Sequence, residues 1–172
     1  MTSKEVFVTI SKLFRIRPVI AWSLTSFVLV IASGMYDGMS PDWILALLSL
    51  IIVVLLQGIV SHAVNDIVDE KIDKMANIKE TGRFKVLIHG KSNKMELFTL
   101  ICIALAIVWA IVWYIFFIRG YVIMLLAFAG IFYIYAYNYK PLKLNYRPFA
   151  EYTVVIPVIL LISFGFNMGS SP

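Results

Sequence analysis

Five stretches of this chain run for about 20 residues each without a charged side chain, the length an α-helix needs to cross the hydrocarbon core of a bilayer. They are Pro18 to Tyr36, Trp43 to Val64, Leu97 to Ile118, Gly120 to Tyr139 and Tyr152 to Pro172. At about 1.5 Å per residue each spans roughly 30 Å as a helix. Helices of a soluble bundle keep a polar face, and these stretches largely lack one. The pattern predicts an all-α, multi-pass transmembrane helical bundle of five spans, with residues 1–172 as a single domain. Pro157 lies inside the fifth span, where a kink is expected and tolerated because neighbouring helices re-satisfy the freed carbonyl.

Composition points the same way. Hydrophobic residues make up 61% of the chain and charged residues 15%, where a soluble domain carries about 25% charged residues. Mean hydropathy is +0.89. Met1 to Arg17 is mixed and basic, and the apolar run after it is too long for a signal peptide. The single cysteine, Cys102, excludes a disulfide framework or a cysteine metal site within one chain, and is expected to be a small buried hydrophobe.

The basic residues orient the bundle. Lys4, Lys12, Arg15 and Arg17 precede the first span. Lys71, Lys74, Lys79, Arg83, Lys85, Lys91 and Lys94 fill the loop after the second, and Lys140, Lys143 and Arg147 the loop after the fourth. Only Arg119 falls on the other side, so 14 of the 15 Lys and Arg share one face. The positive-inside rule makes that face, and the N-terminus, cytoplasmic. The net charge of +5 is therefore a topology signal and not a nucleic-acid footprint. Trp43, Trp113, Tyr114 and Tyr121 fall near span ends, where aromatic belts form. The expected location is a cell membrane in a prokaryote, or an organelle membrane in a eukaryote.

The second cytoplasmic loop opens on Asn65-Asp66-Ile67-Val68-Asp69-Glu70-Lys71-Ile72-Asp73, with no break signal after the second span. A continued helix would place Asn65, Asp66, Asp69 and Asp73 within an arc of about 100°. Clustered carboxylates repel unless something positive lies between them. Oxygen-only ligands suit Mg²⁺, which takes one or two carboxylates and completes its shell with water and substrate phosphates. The plain alternative is a charged helix extension in which Lys71 and Lys74 neutralise the aspartates along the helix. Gln57, Ser61 and Asn65 continue the polar row upward, with His62 beside them. Polar side chains at membrane depth face a bundle interior or a water-filled cavity. A cleft reaching about two to three turns into the bilayer is expected. His62 and His89 are read as hydrogen-bonded residues rather than metal ligands.

Phosphate oxygens also need cations. Arg83 to Lys91 and Tyr137 to Pro148 supply them on the face that carries the aspartates, as does Arg17. Residues Ile78 to His89 are expected to lie on the membrane surface or to cap a site.

These residues resemble the UbiA-type membrane prenyltransferase family. Asn65-Asp-x-x-Asp69-x-x-x-Asp73 is similar to the family's first aspartate-rich motif, at the end of the second helix. Arg17-Pro18 resembles the family's opening. Lys85 to Lys91 resembles its Arg-Pro-Leu-x-x-Gly-Arg loop, with Gly90 kept, lysines for arginines and Val86 for proline. Tyr137-x-x-x-Pro141-Leu-x-Leu, then Tyr146-Arg147 and Glu151, resembles the loop between helices four and five.

The resemblance implies Mg²⁺ held by Asn65, Asp69 and Asp73, with Asp66 contributing directly or through water. It implies a polyprenyl diphosphate donor, whose diphosphate meets Arg17, Lys85, Lys91, Tyr137, Lys140 and Lys143. The prenyl group would pass to an aromatic, lipid or other nucleophilic acceptor, as in quinone, chlorophyll or lipid biosynthesis. By the same resemblance the chain covers about five of nine helices, without the second aspartate-rich motif. The alternative function is a truncated or degenerate member that at most binds prenyl diphosphates. A transporter would need an internal repeat and broken helices at the midplane, and neither is legible.

Overall fold

A computed structural model describes residues 16–38, 40, 42–76, 85–88, 92–146 and 155–169. Its main elements are five helical runs. Helix α1 is Ile16–Tyr36, α3 is Lys94–Arg119, α4 is Tyr121–Asn138 and α5 is Val155–Gly169. Helix α2 is one run of 33 residues, Trp43–Met75, in three parts. Trp43–Val53 is α-helical, Val54–Ser61 is π-helical and His62–Met75 is α-helical again. The charged stretch after the second span thus extends that span's helix. Helices α1 to α4 contain stretches long and apolar enough to cross a membrane. Helix α5 has 15 described residues and is shorter than the fifth expected span. Pro157 is its third described residue, and the helix runs on to Gly169.

Local chemistry sets several ends. The Asp42 side chain accepts from the Leu45 amide at 3.0 Å and starts α2. Asn93 and Glu96 form a reciprocal capping box at the start of α3, at 2.9 and 3.0 Å. Gly120, with φ of 78°, joins α3 to α4 in a backbone region that side-chain-bearing residues rarely adopt.

The helices pack in a ring. Helix α1 lies between α5 and α2, α3 between α2 and α4, and α4 between α3 and α5. One core layer joins Val30, Leu45, Val112, Ile123 and Met168. A second, nearer the aspartates, joins Val60, Ala63, Val86, Leu97 and Ile134. Leu55 and Leu56, in the π-helical part, pack against both.

The outward faces are apolar. Ile20, Leu24 and Val28 on α1 and Ile103 and Ile107 on α3 are exposed. Cys102 is exposed as well, which corrects the expectation that it is buried. Lipid tails are as apolar as a leucine side chain, so a small hydrophobe gains little by turning inward.

Helices α1 and α5 approach closely because α5 carries Gly165 and Gly169. A Cβ at Gly165 would fall 2.6 Å from the Leu29 Cβ. One at Gly169 would collide with the Val30 carbonyl oxygen and lie 2.7 Å from the Ser33 Cβ. The Ser33 hydroxyl donates across this seam to the Phe166 carbonyl at 2.9 Å. Gly169→Val is expected to destabilise the bundle by about 1–3 kcal/mol, the scale of overpacking. Thermal unfolding in detergent checks it: an unchanged midpoint would contradict the close approach.

Candidate active site

The His62–Met75 part of α2 carries Asn65, Asp66, Asp69 and Asp73 along one face. The three aspartates are 6%, 6% and 7% exposed. Buried carboxylates this close need compensating charge, and it comes from two other segments. The turn at 85–88 brings in Lys85, itself 5% exposed. Its ammonium lies 3.1 Å from Asp66 Oδ1 and 3.2 Å from Asp73 Oδ2. The Val86 amide donates to Asp66 Oδ2 at 2.9 Å. Lys143 follows α4 and places its Nζ 3.6 Å from Asp69 Oδ1. The helix's own lysines are not the counterions seen here. Lys74 pairs with Glu70 at 2.7 Å, and Lys94 reaches the same glutamate at 2.6 Å. The aspartates are paired across the fold and not along the helix, by two lysines for three carboxylates.

Two asparagines bind the cluster together. With its amide oriented to suit its neighbours, Asn65 accepts from Lys85 Nζ at 2.7 Å. Its nitrogen donates to Asp69 Oδ2 at 2.9 Å and to Asn138 Oδ1 at 3.2 Å. Asn138 is 1% exposed, and its own nitrogen donates to the Ile134 carbonyl at 2.9 Å.

Lys143 has φ of 39°, a left-handed conformation unusual for a lysine. Its ammonium sits 4.0 Å from the centre of the Tyr146 ring. Tyr146 lies on the short 3-10 turn Leu144–Tyr146, outside the spans, and its hydroxyl hydrogen-bonds Asp69. Its pKa is pushed up to about 12, first by burial, then by the charge of Asp69, the hydrogen bond to it, and the charge of Asp73. The residue as a whole is 52% exposed, so the shielding concerns the hydroxyl end. A raised tyrosine pKa favours the neutral form in the folded state. The stability this confers is present below pH 10.0 and is lost as pH rises from there toward about 12. An ultraviolet titration comparing the wild type with Tyr146→Phe should reveal one phenol that ionises well above pH 10.0; a normal titration would contradict the contact.

Two buried oxygens are held by charge alone. Asp69 Oδ1 and Asp73 Oδ2 accept no hydrogen bond and face only an ammonium, that of Lys143 at 3.6 Å and that of Lys85 at 3.2 Å. Asp66 has both oxygens engaged, by Lys85 and the Val86 amide. Among the described residues no three His, Cys, Asp or Glu side chains converge as a complete ligand set. A hard cation that takes one or two carboxylates and fills its shell with phosphate and water does not require such a set. Asp69 and Asp73, with Asn65 beside them, have the oxygen chemistry for Mg²⁺ in that mode, and the cation would take the place that Lys143 and Lys85 hold beside them here.

The cluster borders a two-part cavity through Asn65 and Asn138. The polar part is lined by Gln57, Ser61, His62 and Asn65 from α2 and by Tyr133, Tyr137 and Asn138 from α4. The apolar part lies deeper, between Ile52, Val53 and Leu56 of α2, Leu126, Ala127 and Gly130 of α4, and Leu160, Leu161 and Phe164 of α5. Trp22, Gln57, Tyr133, Ile134 and Pro157 line both parts and form a neck between them. A headgroup that binds metal and a long apolar tail would each find matching walls here.

Of the residues expected from the sequence, the structure brings together Asn65, Asp66, Asp69, Asp73, Lys85 and Lys143, with Tyr137 on the polar wall. Lys140 is exposed at the end of α4. Arg17 lies in the first turn of α1, its side chain outside the described residues, and Lys91 and His89 are outside them altogether. The described part of Ile78 to His89 is a turn with Lys85, Val86 and Ile88 buried, so it caps the site. Sequence reasoning assigned no role to Asn138, to Tyr146 or to the neck residues Trp22 and Tyr133. Asn138 carried a signal, as an amide closing an uncharged span, and Tyr146 stood in the loop that resembles the family's. Trp22 and Tyr133 carried none, because every span is rich in aromatic residues.

Residues 17–170 match a family model described as the UbiA prenyltransferase family. No curated protein and no solved structure gives a significant match.

Proposed function

This chain belongs to the UbiA prenyltransferase family, and from that premise we propose that it takes a polyprenyl diphosphate at the aspartate face and transfers its prenyl group to an aromatic or other nucleophilic acceptor. The observation that carries the reading is three buried aspartates answered by two lysines among the described residues, joined through Asn65 to a cavity that turns apolar with depth. Asn65, Asp69 and Asp73 would hold Mg²⁺. When bound, the ion would offset the charge of the diphosphate and favour its departure.

The chain's own residues do the rest. Lys85 and Lys143 supply positive charge where negative charge gathers on the leaving group. Asp66 acts through the turn at 85–88, which it anchors. Tyr137, on the polar wall, contributes a hydroxyl to the diphosphate. The C–O bond of the donor breaks and its electron pair leaves with pyrophosphate. The apolar wall keeps water from the allylic cation, and the faces of Trp22 and Tyr133 at the neck offer it cation–π contact. A carbon–carbon or carbon–heteroatom bond to the acceptor then forms, and the acceptor gives up a proton. By the distribution of basic residues this takes place at the cytoplasmic face.

The test is pyrophosphate release from a polyprenyl diphosphate by the purified chain in lipid vesicles, with Mg²⁺ and an acceptor such as a hydroxybenzoate. Release that stops when the metal is chelated is expected. The absence of both pyrophosphate release and Mg²⁺-dependent donor binding would overturn the reading. A second reading, retention of a prenyl diphosphate without turnover, is favoured by the hold of Lys85 on Asp66 and Asp73. It predicts binding without release.

A further inference from the structure

Glycine in the middle of a helix costs stability relative to alanine, so its presence calls for a reason. On α5 the reason is packing, since a Cβ at Gly165 or Gly169 would strike α1. Gly130, in the middle of α4, has no such reason: a Cβ there meets nothing within 4 Å. The space beside it is the apolar cavity, just beyond the neck. Ala127 and Ile134, at i−3 and i+4, line the same cavity, so α4 turns one face toward it. On that face the residue at 130 stands between the neck at Ile134 and the deeper wall at Leu126 and Ala127. A branched side chain there would project into the passage between them.

We infer that Gly130 determines how long an isoprenoid the chain accepts, by leaving open the way from the neck into the deep apolar cavity. The inference rests on the prenyl diphosphate reading above. From Tyr137 on the polar wall to Leu126 in the deep cavity the α4 face spans eleven positions, about 16 Å. That is three helical turns, a length along which several isoprene units would lie extended. The first unit would lie in the neck, and the later ones beyond Gly130.

The experiment measures Mg²⁺-dependent binding of dimethylallyl, geranyl, farnesyl and geranylgeranyl diphosphates to the purified full chain in detergent. The wild type is compared with Gly130→Ala, Gly130→Val and Gly130→Leu. The alanine variant should bind all four as the wild type does, because the space admits a Cβ. The valine and leucine variants should lose geranyl, farnesyl and geranylgeranyl diphosphate by about tenfold or more, the larger side chain more, while keeping dimethylallyl diphosphate. Retained short-donor binding also certifies that a variant is folded, and if leucine prevents folding the valine variant decides. Unchanged binding of all four donors, or their loss in equal proportion, would overturn the role of Gly130 alone. If the wild type binds none of them, the reading of the aspartate face falls too.

Discussion

Replacing Asp69 and Asp73 together by asparagine is expected to reduce Mg²⁺-dependent donor binding and pyrophosphate release by about 100-fold or more, the scale of removing a preorganised charge-stabilising group. The two residues each hold one buried oxygen that accepts no hydrogen bond and faces only a lysine ammonium. Asparagine keeps the size and one carbonyl oxygen but removes the charge that draws a divalent cation. The local fold should survive, because Lys85 keeps Asp66 and Asn65 as partners. A Mg²⁺ titration of donor binding reads the effect directly. Asp37→Asn, at the opposite end of the bundle, should behave as the wild type does. Donor binding by the double variant at wild-type Mg²⁺ concentrations would remove these aspartates from the site.

Lys85→Met is expected to lower stability in the absence of metal by about 3–5 kcal/mol, the cost of leaving a buried charge without its partner. Lys85 holds Asp66 at 3.1 Å and Asp73 at 3.2 Å, with both side chains under a tenth exposed. Methionine fills similar space without charge, leaving two buried carboxylates without this counterion. The same loss makes the face more negative. Added Mg²⁺ should therefore raise the unfolding midpoint of the variant more than that of the wild type. Thermal unfolding of both proteins, with chelator and with millimolar Mg²⁺, tests the two halves together. Equal midpoints in chelator would show that the ion pair contributes nothing. An equal response to Mg²⁺ would show that Lys85 and the metal do not share the face.

Much of this fold was legible in the chain, because membrane insertion is decided by local composition. Water's exclusion from the hydrocarbon core makes any run of about 20 uncharged apolar residues a helix, whatever it packs against. The helix continuing through Asn65 to Asp73 was legible for a similar reason, as nothing there breaks it. The outward face of Cys102 was not, since hydrophobicity does not say which side of a helix faces lipid and which faces a neighbour. The π-helical segment Val54–Ser61 was not legible either. In an ordinary helix, residues four apart drift by about 40° with each step. The wider π turn reduces that drift, and Gln57, Ser61 and Asn65 all reach one cavity.

The sequence alone determined that this is a multi-pass helical membrane protein, with a row of oxygen ligands at one end of its second helix. Those properties belong to single segments, and a segment carries them wherever it sits. Tertiary structure decided which cations answer the aspartates. Lys71 and Lys74 are nearest along the chain, yet Lys85 and Lys143 do the pairing, from turns that reach the face only when the helices close into a ring. It also decided where the polar cavity gives way to the apolar one, because that boundary is built from α1, α2, α4 and α5 at once. Charge compensation and cavity shape are sums over distant segments, and no local pattern contains them.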